Sequence, residues 1–152
     1  MAIARGAGTE IIRSASFEAV SSAEQVLIFG VQHHIYTVLS ISAFAVTLAT
    51  PGNAFTCKLV GYDSKDGTSA QIHYVFYQGM QANQTYVWND KFSFNGAEPT
   101  NFTGPMDDAT KQDAIADQAE GGAVVAQKLI VYSAAAGDSF DVLVTYIDQN
   151  NA

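Results

Sequence analysis

Cysteine is nearly absent from this sequence. Cys57 stands alone among 152 residues, so no intramolecular disulfide can brace the fold, and synthesis in a reducing cytoplasm is expected. Basic residues are scarce as well. Seven Lys and Arg face fifteen Asp and Glu, for a net charge of -8. That balance argues against binding nucleic acid, where clustered positive charge supplies most of the affinity. Long apolar runs are missing too. The stretch from Ile35 to Val46 is interrupted by Thr37, Ser40 and Ser42, well short of a membrane span. The opening residues hold no continuous apolar segment of the kind a secretory signal needs. No membrane contact is expected.

What is present suits a folded domain. Apolar residues make up 48% of the chain, above the level at which a chain of this length fails to collapse. Short β-rich segments alternate with turn chemistry. Extended segments are expected over Thr9 to Val20, Gln25 to Phe29, Gln32 to Thr47, Ala54 to Tyr62 and Gln71 to Tyr77. In the segment 71–77, strict alternation sets Ile72, Tyr74 and Phe76 against His73, Val75 and Tyr77. Tyr86, Trp88, Phe92 and Phe94 share one parity, which reads as a single one-sided strand. Two closing strands follow, Val124 to Ser133 and Ser139 to Asp148, with Phe140, Val142, Val144 and Tyr146 on one face.

The stretch from Glu98 to Glu120 differs. It holds six acids against Lys111 and includes a helical pattern from Asp107 or Asp108 to Gln118, either Asp serving as the cap. The expected fold is all-β: an antiparallel β-sandwich, jelly-roll-like, of seven or eight strands, with one short helix before the last two. Residues 1–8 read as an N-terminal arm and 9–152 as one sandwich domain.

Catalytic and metal-binding patterns do not assemble. His33 and His34 are adjacent, so on a strand they point to opposite faces and cannot share a metal. Asp107, Asp108, Asp113 and Asp117 lack the alternating ligands and closing Glu of a calcium loop. No Gly-X-Ser-X-Gly elbow occurs. Cys57, between Phe55 and Leu59 in parity, reads as a buried apolar residue. No enzymatic activity, no catalytic residue, no metal and no cofactor are expected.

Three stretches carry a resemblance: Gln32-His33-His34-Ile35-Tyr36-Thr37-Val38-Leu39-Ser40, Thr85 to Phe94 and Asp141 to Gln149. With the opening Ala2-Ile3-Ala4-Arg5-Gly6, they resemble small β-sandwich virion proteins of tailed bacteriophages, marine ones in particular. The resemblance implies a head decoration (cement) protein on the capsid surface, made in host cytoplasm. Its implied partners are the major capsid protein and copies of itself, a trimer first. Ile3, Arg5 and Arg13 are then the expected partner contacts, the two arginines facing an acidic lattice. The alternative is a neck or tail component, or a tail module recognising a host-surface glycan through Tyr77, Tyr86, Trp88 and Asn89. The two readings separate on whether those aromatics are buried or exposed.

Overall fold

The computed structural model describes residues 8–63, 70–99 and 124–150. Eleven strands account for most of them: β1 (Thr9–Val20), β2 (Gln25–Phe29), β3 (His34–Thr47), β4 (Ala54–Asp63), β5 (Ala70–Gly79), β6 (Thr85–Trp88), β7 (Phe92–Asn95), β8 (Ala97–Pro99), β9 (Val124–Ala126), β10 (Lys128–Ser133) and β11 (Ser139–Asn150). All pairings are antiparallel.

Sheet A runs β1-β11-β3-β6, with β7 also on β3; sheet B runs β2-β10-β4-β5; β8 and β9 form a separate ribbon. Successive strands cross between the two sheets except at the β4–β5 hairpin of sheet B, at β6–β7 in sheet A and at the β8–β9 ribbon. This is the connectivity of a jelly roll. The two sheets share one core. Phe55 of β4 stacks on Phe140 of β11 (centroids 4.5 Å apart), and Phe76 of β5 meets Tyr86 of β6 edge-on (5.1 Å). Alternation explains the packing: Phe140, Val142 and Val144 are buried, while Asp141 and Leu143 between them are exposed. Cys57 is fully buried, and that burial pushes its thiol far above the ordinary range, so it is unreactive filler of the core.

Some expectations need correction. The stretch 86–94 is two strands. Leu39 bulges out of register between the partners of Ser40 and Val38, and opposite that kink Asn89, Asp90 and Lys91 leave the ladder. The stretch 124–133 is likewise divided at Gln127. Its backbone N–H donates to Gly96 O (3.0 Å) and its carbonyl accepts from Gly30 (2.8 Å), so it crosses between neighbours instead of extending either strand. The strand count therefore exceeds eight. No helix occurs among the described residues, and the helix expected near 107–118 lies outside them.

Two polar knots stand at opposite ends of the sandwich. Asp138, buried between the β3–β4 and β10–β11 loops, accepts from the backbone N–H of Ala49 (2.7 Å) and Ala135 (3.1 Å), from Asn53 Nδ2 (3.0 Å) and from Ser133 Oγ. Burial pushes this carboxyl up, but those hydrogen bonds outweigh it and hold it below its ordinary value. The second knot centres on Asp148.

Candidate interaction surfaces

Sheet B has an outer face built from aromatic and aliphatic residues. Its character comes from a bulge. Phe76 pairs with Cys57 and Tyr74 with Lys58, leaving Val75 extra in the ladder. The parity of β5 therefore slips: Phe76 turns into the core, while Tyr74 (57% exposed) and Tyr77 (75% exposed) both turn out. Strict alternation in the sequence puts those two tyrosines on opposite faces, and nothing local marks Val75 as the extra residue. Ile72 and Phe29 are exposed on the same face. Lys58 Nζ lies over the ring of Tyr132 and Lys128 Nζ over that of Phe29, each 5.2 Å from the centroid. Lys58 also pairs with Glu24, which raises its pKa against the opposing effect of burial. Across β2, β4, β5 and β10 the only acid is Asp63.

Sheet A presents a different outer face, of hydroxyls and aliphatics. Cross-strand pairs set Ser14 Oγ 3.2 Å from Thr145 Oγ1, and Thr37 Oγ1 2.8 Å from Ser93 Oγ. Ile12, Leu143 and Val87 stand exposed among them. Of the acids on these strands, Asp148 is buried, and Glu10, Glu18 and Asp141 sit toward the margins. The sequence already carries the signal in its alternating serines and threonines, but only the register brings the five strands together into one field.

At the open end of the inner face, Asp148 is buried between Arg13 (Nε to Oδ2 3.2 Å) and His34 (Nδ1 to Oδ1 2.7 Å). His34 stacks on Tyr36, whose hydroxyl accepts from the Val31 N–H (3.2 Å). Burial raises the phenol pKa of both Tyr36 and Tyr146 beside this cluster. The three histidines are scattered: His33 sits exposed in a turn with φ 66°, His34 is on Asp148, and His73 is exposed on β5. Among the described residues no three His, Cys, Asp or Glu side chains gather where a metal ion would fit.

The residues expected from the sequence are thus dispersed. Arg13 reaches back to Asp148, so its charge is already engaged within the chain. Ile3 and Arg5 lie outside the described residues. Tyr86 and Trp88 belong to the inner face of sheet A, packed on the core, with Trp88 edge-on to Phe92 at 5.3 Å. Tyr77 is on the outer face of the other sheet, and Asn89 is exposed in the break between β6 and β7. These four do not form one platform. The aromatics that do share an outer face are Phe29, Tyr74, Tyr77 and Tyr132.

Neither a protein-family model nor a curated protein matches the sequence. Among solved structures the chain is similar to one from Bacillus endospore appendages, described as a family of disulfide-linked pili (9% identity, TM-score 0.44, covering 100% of this chain and 97% of that one). It is also similar to a chain of the T13 particle of IBDV (12% identity, TM-score 0.41, covering 99% of this chain and 37% of that one). A chain of the infectious bursal disease virus Gx strain gives 9% identity and a TM-score of 0.39, covering 98% of this chain and 39% of that one. Similarity this distant carries no functional argument.

Proposed function

We propose that this chain is a non-enzymatic structural protein of a virion, a decoration subunit that seats on a phage head and stabilises it by contact with the major capsid protein. The observation that supports the reading is where the charge does not lie. In a chain of net charge -8, the outer face of sheet A carries its acids at the margins and a field of Ser, Thr, Ile, Leu and Val at its centre. The core of a broad interface is depleted in charge, as the centre of this face is. The remaining acidic surface keeps particles apart in solution. No cofactor enters this function, and the protein would reside on the capsid surface after synthesis in host cytoplasm.

The test is co-sedimentation of the purified chain with heads of the source phage, alongside immunogold labelling of intact particles. Dense label over the head, with binding lost in a Ser42→Glu, Leu143→Glu double variant that still melts cooperatively, is the expected result. Antigen absent from virions altogether overturns it. A glycan-recognising tail module is the second reading, favoured by the exposure of Tyr74 and Tyr77. It predicts label confined to the tail and sugar binding abolished by Tyr77→Ala.

A further inference from the structure

We infer that β5 is an assembly edge, pairing antiparallel with β5 of a second copy of this chain across a two-fold axis. The inference stands apart from the decoration reading, since a dimer can form whether or not the chain seats on a capsid. It comes from comparing the edges of the two sheets. A sheet edge exposes a row of unpaired N–H and C=O groups, and proteins that stay monomeric blunt such edges with charge, proline, shortness or kinks.

Three of the four edges are blunted. On one side of sheet A, β6 and β7 have only four residues each and are separated by Asn89 to Lys91. On the other side, β1 is long but carries Glu10, Arg13 and Glu18, and Ala19 near its end takes a left-handed conformation, φ 56°, at a break in register. In sheet B, β2 has five residues and stops at Gly30. The fourth edge, β5, runs ten residues from Ala70 to Gly79 with no Asp, Glu, Lys, Arg or Pro and no positive φ. Its one blunting device is the bulge at Val75.

On its inner side β5 pairs with β4; among the described residues no strand pairs with its other side. Among the described residues, backbone hydrogen bonds outside the ladders also pass it by, resuming at Met80, which bonds Gly52 and Asn53.

Charge selects the occupant. Two copies each carrying -8 repel, and they approach with least opposition where neither presents an acid. The β5 edge meets that condition against itself. The β1 edge does not, because self-pairing would bring its glutamates together. Pairing β5 with β5 about a two-fold would join two four-stranded sheets into one and bring Ile72, Tyr74 and Tyr77 of both copies onto a common face, where they shield one another from water. An isologous edge of this kind closes at two copies, so it specifies a dimer and not the trimer expected by analogy with phage decoration proteins.

The experiment is sedimentation equilibrium on the full chain over a wide concentration range, paired with hydrogen–deuterium exchange at the two ends of that range. The expected result is a monomer–dimer equilibrium, with amides in 71–78 slowing as the dimer fills while those of β1 do not change. Tyr74→Lys with Tyr77→Lys places like charges across the axis and should weaken association at least about tenfold, whereas Ser16→Lys on β1 should leave it intact. Both tyrosines are exposed, so folding should survive, and Tyr77→Lys alone serves if the double variant melts early. A monomer at every concentration, a trimer, or a dimer whose β5 amides exchange at the monomer rate overturns the inference. So does a dimer abolished by deleting residues 1–8 and unaffected by the lysines, which would assign association to the N-terminal segment.

Discussion

Phe55 and Phe140 stack across the sandwich with centroids 4.5 Å apart and planes 27° from parallel, joining β4 of one sheet to β11 of the other. Both are fully buried. This contact links a pair of residues 85 positions apart through the centre of the core, where truncation leaves a cavity that the surrounding strands cannot collapse into. Phe140→Ala should lower unfolding free energy by about 3–5 kcal/mol, measured by urea denaturation, with the midpoint moving and the slope nearly unchanged.

The Asp138 knot predicts a pH signature. Its carboxyl is held below the ordinary value in the folded chain, so between that lowered pKa and about 3.9 the unfolded state binds the proton and the folded state does not. Stability from this group is therefore complete above about pH 4 and lost as pH falls through the folded pKa. Asp138→Asn should flatten the acid limb of thermal stability against pH and should also lower stability at neutral pH. Equal acid limbs in the two proteins would refute the assignment.

Gly30 and Gly96 lie where the two sheets close on each other. A Cβ on Gly30 would fall 1.8 Å from the Gly96 carbonyl oxygen, and one on Gly96 would fall 1.9 Å from that of Val31. Backbone, not a flexible side chain, blocks both positions. Gly30→Ala or Gly96→Ala should therefore abolish soluble folded expression, whereas Gly137→Ala, whose nearest neighbour is the Ala49 methyl at 3.1 Å, should fold and melt within a few degrees of the parent.

Arg13 serves the fold before it serves any partner. Removing it leaves the buried Asp148 carboxylate with one partner fewer. Arg13→Ala should destabilise by about 1–2 kcal/mol, the low side for a buried charge because the arginine itself is half exposed. Thermal unfolding of Arg13→Ala beside Asp148→Asn and the double variant gives the coupling directly. Additive losses would show that the pair contributes nothing.

Trp88 is half-buried against Phe92 on the inner face of sheet A, while the exposed tyrosines stand on the outer face of sheet B. Its emission should be blue of free indole and only partly quenched by acrylamide. Saturating sugars should leave it unchanged even if they bind at Tyr74 and Tyr77. A sugar-dependent shift would place a binding site near β6 instead.

The sequence was most legible where alternation is strict and local. β11 displays its core face through Phe140, Val142 and Val144, and β1 and β2 begin and end where turn chemistry says they should. It was least legible where one extra residue changes parity. Val75 sends Tyr74 and Tyr77 to the same side, and Leu39 kinks β3 opposite the break between β6 and β7. A bulge is a property of a strand pair, so a single strand read alone cannot reveal it. The expected site residues suffered for the same reason: Tyr86, Trp88 and Tyr77 are close in sequence but belong to different sheets and opposite faces.

By itself, then, the sequence determined the all-β class, the antiparallel sandwich, the buried Cys57 and the excess of negative charge, because composition and period-two alternation are local properties of the chain. Tertiary structure alone decided the rest: which strands became edges, where charge is missing from a face, and that Arg13 turns to Asp148. Those depend on register between strands that the sequence does not pair locally, more than a hundred positions apart in the case of β1 with β11, and hydrogen bonding between strands, not local preference, sets that register.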